Sequence, residues 1–353
     1  MVSRHPATLK HVTQALAVAH LSSRQAIGPS FLPRMAPGEF TLVLLDLDID
    51  PSAPPTELCA QVGAACHNTP IVVMAGINAR HRLVQALSHP DVVGAVPKLG
   101  AWTESAATPE ARPEARPEAR IEARPEAKIE AKIEARIEGP DEQLLGLALR
   151  RRVERMTQPI GPAPYLLSGT AIEERIVGGS SDKEATLQEL LADATRFGLS
   201  DEKIRRIETS ADELMLNAVY DAPRDEAGKP LHAAIDRRTP VVLAAQAQVR
   251  VRWGCDGRTF ALSVADRFGA LTRATVAEHI SRLLDARSPR VARGLPVAAG
   301  GGAGLGLVLA FSAANELSLQ IAPNRFTEAT ATLHIGGSNR AAVARGSSVH
   351  VYD

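Results

Sequence analysis

Aromatic residues are scarce in this chain, because phenylalanine, tyrosine and tryptophan make up 3% of its 353 residues. Proteins that bind single-stranded nucleic acid commonly stack the bases on aromatic side chains, so this scarcity argues against that role. The chain also lacks an excess of charge of either sign, since 40 basic residues balance 40 acidic ones. A chain with zero net charge is not a general binder of nucleic acid or acidic lipid, and we expect neither as a partner.

Cysteines and long apolar runs are also few. Cys59, Cys66 and Cys255 lack the spacing of a metal site and are typical of free thiols in a reducing compartment. No apolar run approaches the ~18 residues that a membrane-spanning helix needs. The N-terminal segment MVSRHPATLK has no apolar signal core. Together these absences predict a cytoplasmic protein.

A low-complexity repeat divides the chain into two units. Residues 109–140 read PEARPEARPEARIEARPEAKIEAKIEARIEGP. The prolines remove helical donors, and opposite charges two positions apart do not meet on a helix. We therefore predict an extended linker over 103–141, with a docking segment for a charged partner as the alternative. It separates a unit at 1–102 from a unit at 142–337, and a tail at 338–353 is predicted to be disordered.

The N-terminal unit alternates buried strands with helices. The apolar runs FTLVLLDLDID, TPIVVMAGIN and VVGAVPKLG are separated by helical patterns such as RHRLVQALSH. This order predicts an α/β unit with a doubly wound parallel sheet. Functional groups in such sheets lie at the carboxyl ends of the strands. Asp46, Asp48 and Lys98 occupy those positions.

These segments resemble the receiver domain of bacterial response regulators. The resemblance places Asp46 as the phosphoacceptor and Lys98 as the lysine that accompanies it. Two features of that family are missing. No acidic pair precedes Thr41 to help hold Mg²⁺, and Ala75 stands where the family has a serine or threonine. We interpret the unit as a degenerate receiver that either is phosphorylated at Asp46 or serves for docking or dimerisation, with Asp46 and Lys98 as a pair on its surface. It begins within its first strand, and we expect the natural start to lie upstream.

The C-terminal unit contains a helix with a polar row beside its apolar stripe. The segment DEKIRRIETSADELMLNAVYDAP has helical periodicity, begins near Ser200 or Asp201, and ends before Pro223. The polar row, at spacings of three and four, consists of Ser210, Glu213, Asn217 and Asp221. A carboxylate and an amide oxygen on one face suit a site for Mg²⁺ and phosphate, although a solvated helix face has the same pattern.

Two further features follow this helix. Asp256-Gly257 separates two alternating runs and predicts a hairpin whose second strand ends at Asp266 on the apolar face. The segment GGGAGLGL then leads into the helical pattern VLAFSAANEL. Bare backbone N–H groups at the start of a helix can hold phosphate, although a loose connector is the alternative. The glycines concerned are Gly300, Gly301, Gly302, Gly304 and Gly306.

In this order, the segments over 165–336 resemble the ATP-binding domain shared by histidine kinases, anti-sigma-factor serine kinases, gyrase B, Hsp90-type chaperones and MutL. The resemblance implies an α+β two-layer sandwich, with Glu213 as catalytic base and Asn217 as the Mg²⁺ ligand. It implies that Asp266 accepts from adenine and that residues 282–300 form a lid. The remaining implied ATP-binding residues are Asp221, Gly269, Thr327 and the glycines of the run. Phe268 stands where the family usually has glycine, with Gly269 one position later.

The resemblance implies a cytoplasmic signalling protein with ATP and Mg²⁺ as cofactors. The region before the ATP-binding unit has no histidine, so a histidine autokinase is not expected. The segment before the first ATP-site helix most resembles the anti-sigma-factor serine kinases. This resemblance implies that the protein phosphorylates a signalling partner on serine or threonine. A sigma factor or an anti-sigma antagonist is one type of such a partner. The alternatives are an ATP-dependent scaffold without turnover and a scaffold without nucleotide. A homodimer is left open.

Overall fold

The computed structural model describes residues 2–3, 6–18, 40–66, 69–76, 79–98, 158–232, 235–284, 305–335 and 348–352. The predicted linker at 103–141 lies outside the described residues. So do Gly300, Gly301, Gly302 and Gly304 of the glycine run.

The N-terminal part contains three parallel strands, as the sequence predicts. They are β1 (Val43–Asp46), β2 (Ile71–Gly76) and β3 (Val92–Lys98). Helix α1 (Pro6–Val18) buries Leu9, Val12 and Leu16 against one face of this sheet. Helices α2 (Pro55–Ala65) and α3 (Arg80–Leu87) belong to the core on the other face. Apolar residues on both faces of each strand allow helices to cover both, which is the reason that the strands read as continuous apolar runs.

The C-terminal part contains five antiparallel strands in the order β7-β8-β6-β5-β4. Their bounds are β4 Ile172–Val177, β5 Val249–Cys255, β6 Thr259–Asp266, β7 Glu316–Ala322 and β8 Phe326–His334. The hairpin predicted at Asp256-Gly257 is confirmed, and Gly257 has φ +84°. The Asp256 carboxylate accepts from the backbone N–H groups of Arg258 and Thr259 and so stabilises the turn.

Within the described residues, this part has four α-helices: α4 (Ser180–Arg196), α5 (Asp201–Leu216), α6 (Arg273–Leu284) and α7 (Leu305–Ala313). Helix α5 packs against α4 and α7. Its apolar stripe is buried in a core with Trp253 and Leu262 of the sheet. The chain therefore combines parallel α/β and antiparallel α+β content. Among the described residues, each helix is too short or too polar to cross a membrane.

A ninth strand corrects one prediction. The tail was predicted to be disordered, but β9 (Ser348–Tyr352) lies antiparallel to β3 and parallel to β7. The strands thus form one nine-stranded sheet, in the order β1-β2-β3-β9-β7-β8-β6-β5-β4. The prediction failed because β-branched Val349 and Val351 suit a strand once two sheet edges are available to pair with it. Helix α6 also packs against α3, and the Arg273 guanidinium donates to the carbonyl of Pro90.

Candidate functional site

The polar row on α5 lies at an irregularity in the helix. The α-helix ends at Leu216 and continues as a single π-helical turn over Asn217–Asp221. The N–H of Ala222 donates to the carbonyl of Asn217 at 2.8 Å, which closes this wider turn. Single π turns occur frequently at functional sites, where they change the direction in which side chains project. The regular spacing of the sequence gave no signal of this turn.

Gly306 brings the first turn of α7 against the row. A Cβ atom at this position would lie 2.5 Å from Glu213 Oε2 and 3.1 Å from Asn217 Oδ1. Real Cβ atoms essentially never make contacts below 3.0 Å, so a side chain at this position would force the flexible end of Glu213 to move, and glycine permits the approach without that shift. The N-terminal turn of α7 therefore meets a carboxylate of α5 and an amide oxygen of the π turn. Free N–H groups and the helix dipole make such a turn attractive to an anion.

Arg237 neutralises part of this row. Its Nη2 atom lies 2.9 Å from Asp221 Oδ2, and its Nη1 atom lies 3.8 Å from Glu213 Oε2. Burial raises the pKa of Glu213, and Arg237 opposes that shift. Burial likewise raises the pKa of Asp221, again against the effect of Arg237. Raised carboxyl pKa values at one site are typical of groups that exchange protons in catalysis, although buried ion pairs also produce them.

Asp266 ends β6 and shares the face of Leu262 and Val264, as its parity predicts, although every position of this strand is buried. Its side chain is 7% exposed, and its Oδ1 accepts from the N–H groups of Phe268 at 2.7 Å and Gly269 at 3.2 Å. Thr327 lies directly opposite in β8. Burial raises the pKa of Asp266, while hydrogen bonds from Phe268, Gly269 and Thr327 lower it. The sequence predicted a buried acid at this strand end, and the structure shows one.

Gly269 performs the glycine role at the turn that follows. It has φ +59°, and a Cβ there would lie 2.1 Å from the carbonyl oxygen of Ala322. Any other residue would be strained in conformation and would also collide with backbone. The turn after Asp266 therefore has its glycine at position 269, and Phe268 donates its N–H to Asp266.

Asp46, Asp48 and Lys98 meet at the carboxyl edge of the parallel strands. Lys98, 2% exposed, places Nζ 2.8 Å from Asp46 Oδ1 and 2.5 Å from Asp48 Oδ2. Asp46 is 0% exposed, and its Oδ2 accepts from the hydroxyl of Ser3 at 2.6 Å. Val2 pairs with Leu45 in a single parallel bridge, which brings Ser3 to this position. Both oxygens of Asp46 are thus engaged within the protein, and this arrangement does not favour it as a phosphoacceptor. The prediction that Asp46 and Lys98 form a surface pair was wrong, because Val2 and Ser3 cover the strand end and bury both side chains.

A separate cavity of about 320 Å³ adjoins the end of β6. Its charged lining includes Arg250, Arg267 and Arg325 together with Asp266, but neither Glu213 nor Asn217 borders it. Ala265, which alternates with Asp266 along β6, also borders it. The cavity therefore does not coincide with the junction of α5 and α7.

The described residues include no cluster of three or more histidine, cysteine, aspartate or glutamate side chains that could hold a metal ion. Asn217 offers a single neutral oxygen beside Gly306. Mg²⁺ keeps several waters and usually takes one or two protein ligands together with substrate phosphates. The donor set therefore fits Mg²⁺ only as part of a complex with phosphate.

The sequence placed Glu213, Asn217 and Gly306 at one site, and the structure brings these three together. It places Asp266, Gly269 and Thr327 together at the neighbouring strand ends. Sequence reasoning missed Arg237 and Ser3, because each reaches its partner only through the fold. Compared with known proteins, the chain matches no protein-family model and no curated protein.

Proposed function

We propose that the C-terminal part binds an adenine nucleotide together with Mg²⁺. The observation that carries the proposal is the approach of Gly306 to Glu213 and Asn217, because it places a helix N-terminus against a carboxylate and an amide oxygen. Phosphate groups bind at such a terminus, and Asn217 supplies an oxygen for the ion. Asp266, buried at the end of β6, supplies the acceptor for an amino group of the base.

In the first form of this function, the protein is a kinase that phosphorylates a signalling partner on serine or threonine. Glu213 takes the proton from the attacking hydroxyl of the partner. A bond then forms between that oxygen and the terminal phosphorus, and the bond to the bridging oxygen breaks to leave the diphosphate. Burial raises the pKa of Glu213, which suits a general base better than an exposed carboxylate. Mg²⁺ would neutralise charge on the phosphates.

In the second form, the nucleotide is bound without turnover and regulates docking of a partner. The observation that favours it is the closed cluster in the N-terminal part, where Asp46 is fully buried between Ser3 and Lys98. An aspartate whose two oxygens are already engaged within the protein suits docking better than phosphorylation. Steady consumption of ATP that is lost in Glu213→Gln favours the kinase form, whereas binding without consumption favours the second.

The test of nucleotide binding uses the full chain, titrated with Mg·ATP by calorimetry and thermal melting. Asp266→Ala and Asn217→Ala are expected to abolish the heat of binding. Ligand at 100 times its Kd stabilises the wild type by about 2.7 kcal/mol. Asp256→Ala is the matched control, because Asp256 also accepts from backbone N–H groups but lies in the turn at the other end of β6. Absence of heat and of a melting shift for the wild type at millimolar nucleotide would reject the proposal.

A further inference from the structure

Arg237 is held at the candidate site by two carboxylates, Glu213 on α5 and Asp221 at the end of the π turn. It contacts Asp221 at 2.9 Å and Glu213 at 3.8 Å, and its side chain remains 31% exposed. Arg237 belongs to the segment that connects the π turn with β5, and its guanidinium faces both carboxylates. Nothing in the local sequence AAIDRRTP distinguishes it from its neighbour Arg238.

The backbone at Arg237 is fixed by the π turn itself. The hydroxyl of Tyr220 lies 3.0 Å from the carbonyl oxygens of both Arg237 and Thr239, to which it donates. Tyr220 is 1% exposed, so this anchor is part of the core. The position of Arg237 is therefore set by a buried residue of the same turn that carries Asn217 and Asp221. Its guanidinium end remains partly open to solvent.

A second cation acts on the same carboxylate but is otherwise engaged. Lys183 lowers the pKa of Glu213 to a lesser extent than Arg237 does. Its ammonium group contacts Asp212, which lies outside the polar row. Of these two cations, Arg237 is the one that contacts two members of the row. A planar guanidinium fork also matches the oxygens of a phosphate group better than an ammonium does.

We infer that Arg237 is a ligand of the terminal phosphate and makes the site selective for a nucleoside triphosphate over a diphosphate. This inference rests on the proposed nucleotide site. Glu213 must lie near the terminal phosphate if it acts on the attacking group, and Arg237 reaches Glu213 from the segment before β5. When Mg²⁺ and phosphate arrive, the guanidinium exchanges carboxylate oxygens for phosphate oxygens. The two carboxylates then lose Arg237 as their positive partner, and the Mg²⁺ ion supplies positive charge in its place.

The experiment compares Mg·ATP with Mg·ADP by calorimetry on the full chain. Arg237→Met keeps the length and apolar character of the side chain and removes the charge and the fork. We expect it to weaken ATP binding by about tenfold or more, the loss of one charge-assisted hydrogen bond. ADP binding is expected to change by less than about threefold, since ADP lacks the terminal phosphate that Arg237 would bind. Arg237→Lys, which keeps the charge but loses the fork, should fall between these values.

Arg238→Met is the matched control, because it removes the same charge from the adjacent exposed position and should leave both affinities unchanged. Equal loss of ATP and ADP affinity in Arg237→Met would show a purely structural role and overturn the inference. Unchanged affinities would also overturn the inference. Tighter binding of ATP by Arg237→Met would overturn it too, because the arginine would then only block the site. If the wild type binds neither nucleotide, the proposed function itself fails.

Discussion

Replacement of Gly306 by alanine tests the close approach of α7 to α5. Alanine in place of glycine stabilises a helix by about 1 kcal/mol. The new Cβ would lie 2.5 Å from Glu213 Oε2, and overpacking of this kind costs about 1–3 kcal/mol. Because Glu213 is a flexible side chain, it can turn away, and the net destabilisation should be about 0–2 kcal/mol. Turning away moves the carboxylate from its place beside Gly306, so Mg·ATP affinity should fall by about tenfold or more.

The assay is urea unfolding of the full chain, followed by the fluorescence of buried Trp253 in a Trp102→Phe background, with calorimetry for the nucleotide. Gly63→Ala is the matched control. Gly63 is also a helical glycine, and a Cβ there would lie 2.5 Å from Asp91 Oδ2, far along the chain from the candidate site. It should leave nucleotide affinity unchanged. A Gly306→Ala protein that gains about 1 kcal/mol in stability and binds nucleotide normally would refute the close approach.

Three further predictions concern stability. Gly269→Ala should lower the free energy of unfolding in urea by about 2–5 kcal/mol, because positive-φ strain adds to a collision with backbone. Gly198→Ala is the control: its φ is +76° but the space around it is open, so the loss should be about 1–2 kcal/mol. Lys98→Met should cost about 3–5 kcal/mol by leaving the Asp46 carboxylate buried without its cation, and adding Asp46→Asn should recover part of that loss, as measured by thermal melting. Asp266→Asn should stabilise the protein at pH 7. The pKa of Asp266 is higher in the folded state than in the unfolded state, so the folded state keeps this proton to a higher pH. The stability of the wild type therefore falls as pH rises from the ordinary carboxyl range through the folded pKa. The advantage of Asp266→Asn in denaturant unfolding should therefore shrink as pH is lowered toward about 4, and an advantage that grows on acidification would contradict this sign.

The sequence was informative where one local pattern decides the outcome. The three parallel strands read as apolar runs, and parallel strands end at one edge, so the meeting of Asp46 with Lys98 could be predicted. Helical spacing likewise placed Glu213 and Asn217 on one face. Alternation along β6 predicted that Asp266 is buried.

The parts that escaped prediction depend on distant partners. The helical pattern VLAFSAANEL predicts a helix through Glu316, but the helix ends at Ala313 and strand β7 begins at Glu316. Strand β9 is stabilised by edges from two remote parts of the chain. The π turn changes the hydrogen bonding without changing the residue pattern. Arg237 reaches the row because Tyr220 anchors its backbone, and no spacing rule connects these positions.

The pairing of β9 with both β3 and β7 has a consequence for how the chain responds to cleavage. The linker at 103–141 connects the two parts along the chain, and the final strand and the contact of α6 with α3 join them a second time. A protease cut within the repeat would therefore yield two fragments that remain associated and elute together. Removal of residues 348–352 as well would withdraw the shared strand and leave the contact between α3 and α6 to hold the fragments.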